Sequence, residues 1–235
     1  TVFTTEISSD TDQGLLCLRD ARSLEKRAEF ETQGHDPHAV SWFPVSSTGA
    51  AAHPLAGMLV VANGGIATTP ETGRVKQHLV AMDSSLVCLH PQTGELLGQW
   101  RVSDPRLSLR HLAWAHTPEG APLLGVALQA EHDDPTLRTA APLLAVLDWQ
   151  KQPSGALRLA TCQPPLAGYG GDVAVIGAWV GPGRKAVDST VPSGEGISHF
   201  VVSATRGDVL ARYGLDGQFE GSTHWPQAGA QIGRA

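Results

Sequence analysis

Four times along its 235 residues the chain repeats one pattern: an apolar run, a polar turn and a second apolar arm. GLLCLRDARSLEKRAEF begins at Gly14, SLVCLHPQTGELLGQW at Ser85 and PLLAVLDWQKQPSGALRL at Pro142. DVLARYGLDGQFEGS, from Asp208, is the same unit with a shorter turn. Short apolar runs bounded by Gly, Pro, Asp and Ser punctuate strands rather than helices, so each unit reads as a β-hairpin. Between successive hairpins lie two more strand candidates: HAVSWFP and GMLVVANGG, then RHLAWAH and APLLGVALQ, then DVAVIGAWV and SHFVVSATRG. A four-stranded unit repeated in series predicts an all-β fold, a β-propeller of four-stranded blades. A two-sheet sandwich is the competing architecture, but nothing in it repeats in fours.

With strands a to d counted outward from the channel, TVFTTEI falls at position b of a first blade that lacks strand a. That partial blade and three full ones, ending near Trp225, make a single domain over residues 1–235 with about four blades. Propellers close with at least about four blades and commonly more, so part of the ring is expected to be absent. The chain starts at Thr1 with no initiator Met or signal peptide, so we expect a processed chain or a fragment.

The repeat register accounts for two of the three cysteines. Cys17 in LLCL and Cys88 in LVCL share a position that Ala145 and Ala211 fill in the later units. A small buried side chain is wanted there, and equivalent positions on neighbouring blades lie too far apart for a disulfide. No C-x-x-C spacing points to structural zinc. The net charge of -6 argues against nucleic acid as a partner, and no apolar run approaches the roughly 18–20 residues of a membrane helix.

VVANGGIATTPETGR, residues 60–74, has neither the GxxxxGK[ST] nor the GxGxxG spacing of a phosphate loop. It reads as the link from strand b to strand c, with Asn63, Gly64 and Gly65 turning the chain sharply. The segment from Gly64 to Ser84 is longer than turning requires, so a binding loop stands beside the structural reading.

GHDPHAVSW, VVANGGIATTPETGR, MDSSL and SLRHLAW, taken in order, resemble the family called domain of unknown function 1513. The likeness runs from about Thr4 to Gln129 and continues more weakly through LAGYGGDVAV and VVSATRGDV to about Gly221. It implies an exported bacterial protein with a twin-arginine signal, a seven-bladed propeller, a periplasmic location and further blades on both sides. Genes of the family often neighbour periplasmic iron-uptake components of the imelysin type, which makes such proteins the implied partners. The family has no established activity. Glu6, closing its strand, resembles an acidic residue of the family and is expected at the same rim as the residues below. The family usually has Ser where this chain has Asp172.

Aligning the starts of the inner strands, PHAVSW, RHLAWA and GDVAVI, places His38, His111 and Asp172 at one equivalent rim position. Two imidazoles and a carboxylate suit a divalent metal such as iron or zinc, although polar residues at a channel mouth also serve to satisfy backbone groups and water. Pro37 is expected to hold Asp36 extended, and His35 either extends the site or caps its loop. Arg74 and Arg110 are candidate anion binders, with an inter-blade salt bridge as the alternative for each. Gln129 shares the register of Asn63 and adds an amide. EHDDP, residues 131–135, lacks the pattern of a calcium loop and reads as a solvated loop. No G-x-S-x-G elbow occurs. The functional expectation is a periplasmic binding or scaffold module with a polar rim. A lactonase-like, metal-dependent hydrolase is the alternative, and a ring-closing half that acts with a second chain is a third reading.

Overall fold

A computed structural model describes residues 1–45, 53–67, 76, 78–149, 157–177 and 198–226. Strands β1 (Val2–Ile7), β2 (Gly14–Arg19) and β3 (Lys26–Glu31) form a first antiparallel sheet. The second holds β4 (Pro37–Trp42), β5 (Leu59–Asn63), β6 (Ser85–Leu89) and β7 (Leu96–Trp100). The third holds β8 (Leu107–His116), β9 (Pro122–Ala130), β10 (Leu144–Asp148) and β11 (Arg158–Leu159). The fourth holds β12 (Gly170–Ile176), β13 (His199–Ala204), β14 (Val209–Tyr213) and β15 (Phe219–His224). Every sheet is an up-and-down meander in chain order, and the four make a propeller-like arrangement. Among the described residues β1 pairs with β2 alone, as expected of a strand at position b without an inner neighbour.

Strand sequences follow from burial on two faces. All five residues of β5, Leu-Val-Val-Ala-Asn, are buried. Leu59 and Val61 join Leu16, Val87 and Leu89 in the seam toward the first sheet. Val60 and Ala62, one step out of phase, join Leu109, Leu124, Val126 and Leu128 in the seam toward the third. β9 divides likewise, with Leu123 and Ala127 packing against Phe200, Val202 and Tyr213 of the fourth sheet. A strand buried on both faces reads as a continuous apolar run, whereas β3, with a solvated face, alternates as Lys-Arg-Ala-Glu-Phe-Glu. An aromatic cluster closes the seam between the second and third sheets. Trp114 stacks on Trp149 at 5.4 Å, and Phe43 and Trp100 pack edge-on against Trp149.

Cys17, Cys88, Ala145 and Ala211 are fully buried and face Thr4, Val60, Val126 and Val202 respectively. All three cysteines are free. EHDDP opens as a loop, as expected, with Asp133 and Asp134 exposed, but its first residue is not solvated: Glu131 is buried and pairs with Lys76. Asp134 caps a short helix, α1 (Pro135–Ala140), by accepting from the Thr136 amide at 2.7 Å, and Pro135 opens its first turn.

Candidate functional site

Each four-stranded sheet carries a β-bulge near the start of its inner strand. The register shifts between Pro37 and Ala39 in β4, between Leu109 and Leu112 in β8, and between Gly170 and Val173 in β12. The residues inside those shifts are His38, Arg110 with His111, and Gly171 with Asp172. A bulge releases side chains from the regular in-and-out alternation and re-aims them. The inner strands pack side by side, β4 on β8 and β8 on β12, so the three bulges bring their side chains into one row.

Within the row, His38 and His111 meet edge to face with ring centroids 4.7 Å apart. His111 Nδ1 lies 3.7 Å from Asp172 Oδ1, an ion-pair distance too long for a hydrogen bond. Arg110 is nine-tenths buried and donates from Nη1 to Asp36 Oδ2 at 2.8 Å. Its Nε and the Nδ1 of His38 are buried with no hydrogen-bond partner. Burial, reinforced by the charges of Arg110 and His111 against the weaker pull of Asp36, brings His38 down to about 4. His38 is therefore neutral at neutral pH.

The edge-to-face contact spends one ring edge on the other ring's π face, so that edge is closed to a metal shared by both. Among the described residues no group of three His, Cys, Asp or Glu side chains has metal-holding geometry.

The remaining candidates fall into supporting positions. Asp36 is not extended as its proline neighbour suggested. It has φ of 52°, a conformation Asp tolerates, with its carbonyl accepting from Gly64 N at 2.7 Å. His35 caps the loop, with Nδ1 2.8 Å from the Asp12 carbonyl, and its own carbonyl accepts from Gly65 N. The Gly64 carbonyl takes hydroxyl bonds from Ser84 and Ser108, both at 2.8 Å. Asn63 donates to the Thr32 carbonyl of the first sheet and Gln129 to the Gly170 carbonyl of the fourth. Both amides thus tie neighbouring sheets together, at equivalent strand positions three residues beyond Val60 and Val126.

Glu6 is engaged within its own sheet. It accepts from Thr4 and from both Nε and Nη2 of Arg19, with Lys26 at 3.5 Å. Burial would raise its carboxyl, but these bonds outweigh burial and hold it at about 2. Arg74 lies outside the described residues.

A family model described as Protein of unknown function (DUF1513) matches residues 1–217. The chain belongs to this family. No curated protein matches it. In this DUF1513 chain the site residue that sequence reasoning passed over is Asp36. Its one signal was position: an acid immediately before Pro37, at the mouth of the strand that carries His38.

Proposed function

We propose that the chain is a periplasmic binding or scaffold module, contributing these four sheets to a seven-bladed propeller ring, with its ligand site at the row of bulges. The observation that carries this reading is the coincidence of three inner-strand bulges on the polar, titratable residues His38, Arg110, His111 and Asp172. Bulges at one end of successive inner strands re-aim side chains where regular pleating would bury or expose them by rote. Export and a partnership with periplasmic iron-uptake proteins belong to the proposal through the family resemblance.

A metal-dependent hydrolase is the second reading, favoured by one observation. Asp172 Oδ1 lies 3.7 Å from Nδ1 of His111, beyond hydrogen-bond reach but on the side from which a carboxylate orients a metal-binding imidazole.

Elemental analysis and a thermal-shift screen of small polar molecules, run on the wild type and on a folded His38→Ala, His111→Ala double variant, test both readings. A ligand that raises the melting temperature of the wild type alone supports the binding module. Stoichiometric iron or zinc that vanishes in the variant moves the hydrolase ahead. Identical shifts in both proteins, with no metal in either, remove the row as a site.

A further inference from the structure

We propose that the row binds an oxyanion: a carboxylate or phosphoryl group docks on the Nε edge of Arg110 beside His38. The proposal rests on the ligand-binding reading above and names the chemistry of its ligand.

The first argument is the balance of donors and acceptors. Arg110 has one nitrogen, Nη1, bonded to Asp36, while its Nε–H is buried without an acceptor. His38 Nδ1 is also buried without a partner, and on the neutral ring it donates or accepts according to the tautomer. An unmet buried donor costs about 1–3 kcal/mol, so the spare Nε–H of Arg110 is completed by a ligand that brings an acceptor oxygen. Asp36 binds Arg110 through a single oxygen and a single nitrogen, which leaves the side edge of the guanidinium fork for a second anion.

Charge supplies the second argument. The guanidinium of Arg110 keeps its charge at any working pH, and its free edge favours an anion over a divalent cation. His111, with its side chain 40% exposed, and Asp172, 25% exposed, are the solvent-facing members of the row.

The charges of the whole row predict how the ligand arrives. Asp36 and Asp172 stand in the same row as Arg110, so an added anion enters with a proton taken up by His38, and binding tightens as pH falls.

Isothermal titration with inorganic phosphate and, separately, with malonate, at about pH 5.5 and about pH 7.5, tests this on the purified chain. One saturable site is expected, about tenfold tighter at the lower pH, with an enthalpy that depends on the buffer's ionisation heat. Arg110→Lys keeps a cation for Asp36 but loses the fork, and should weaken binding about tenfold while remaining folded. Should that variant fail to fold, His38→Gln is the second probe and should reduce the pH dependence. The tighter of the two anions identifies the source of the oxyanion.

No saturation by either anion, or undiminished affinity in folded Arg110→Lys, overturns the proposal. Zinc chloride is titrated in parallel. Zinc saturation lost in the His38→Ala, His111→Ala variant, without anion binding, overturns the oxyanion but leaves the row as a ligand site. Silence from every probe and from the thermal-shift screen removes both.

Discussion

Arg110 donates to Asp36 Oδ2 at 2.8 Å, joining residues 74 positions apart across the seam between the second and third sheets. Asp36→Asn keeps a side chain that tolerates the positive φ but leaves the buried guanidinium without its counter-charge. Removing one partner of a buried pair costs about 3–5 kcal/mol, and the partial exposure of Asp36 brings the expectation to about 2 kcal/mol. Adding Arg110→Met should recover most of that loss, because an apolar replacement of both partners is close to neutral. Urea denaturation of the two single variants and the double checks it. A single-variant cost under about 0.5 kcal/mol would mean the pair is solvated.

The two glycines of the Asn63-Gly64-Gly65 turn should fail differently. A Cβ on Gly64 would sit 2.5 Å from Asp36 Oδ2, the oxygen that holds Arg110, and 3.0 Å from Ser108 Oγ. A Cβ on Gly65 would sit 2.3 Å from the Ser84 backbone nitrogen, at φ of 76°. Gly64→Ala displaces a side chain, so we expect about 1–3 kcal/mol and strong coupling to Asp36→Asn in a double-mutant cycle. Gly65→Ala strains backbone that cannot move aside, so it should cost more and add independently of Asp36→Asn.

His38 sets a direction for stability against pH. Its folded value, about 4, lies below the ordinary 6.5 because burial and then Arg110 disfavour the charged ring. As pH falls below about 6.5 the unfolded chain takes up the proton first, so this group's contribution falls steadily and levels off below about 4. His38→Gln should flatten that slope between pH 6.5 and 4 without altering stability at neutral pH by a comparable amount. Guanidinium midpoints measured across that window decide it, and parallel curves for the two proteins would contradict the depressed value.

The hairpins were legible in the sequence because their determinants are local. Turns such as Gly214-Leu215-Asp216-Gly217 and Pro91-Gln92-Thr93-Gly94 fix where a strand ends, and two-sided burial makes the strand between them uniformly apolar. The row of His38, His111 and Asp172 was legible too, since equivalent starts of repeated strands lie side by side. Ring orientation was not. Whether two imidazoles converge on a point or meet edge to face depends on the bulges, and no residue pattern in the sequence announces those. The Asp36–Arg110 pair was hidden for the same reason, since no local rule links a residue before β4 to one inside the β8 bulge. Glu6 was placed at the rim by family analogy, and what the sequence did not announce is that Arg19 and Lys26, close by in its own sheet, hold its carboxylate.

The cysteines offer a test of the repeat register itself. Cys17 and Cys88 are fully buried at the small-residue position, and Cys162 is exposed. Burial pushes the Cys88 thiol up to about 12; burial and then the Glu6 carboxylate raise that of Cys17. Thiolate is the reactive form, so native protein should show one fast thiol toward an aromatic disulfide reagent, and all three after denaturation. Cys162→Ser should abolish the fast phase. Cys88→Ala should be tolerated, as Ala145 and Ala211 already are at that position. Cys88→Leu should cost about 1–3 kcal/mol through overpacking. Two or more fast thiols in the native state would mean that the shared position is not buried, and the register linking the four hairpins would fall with it.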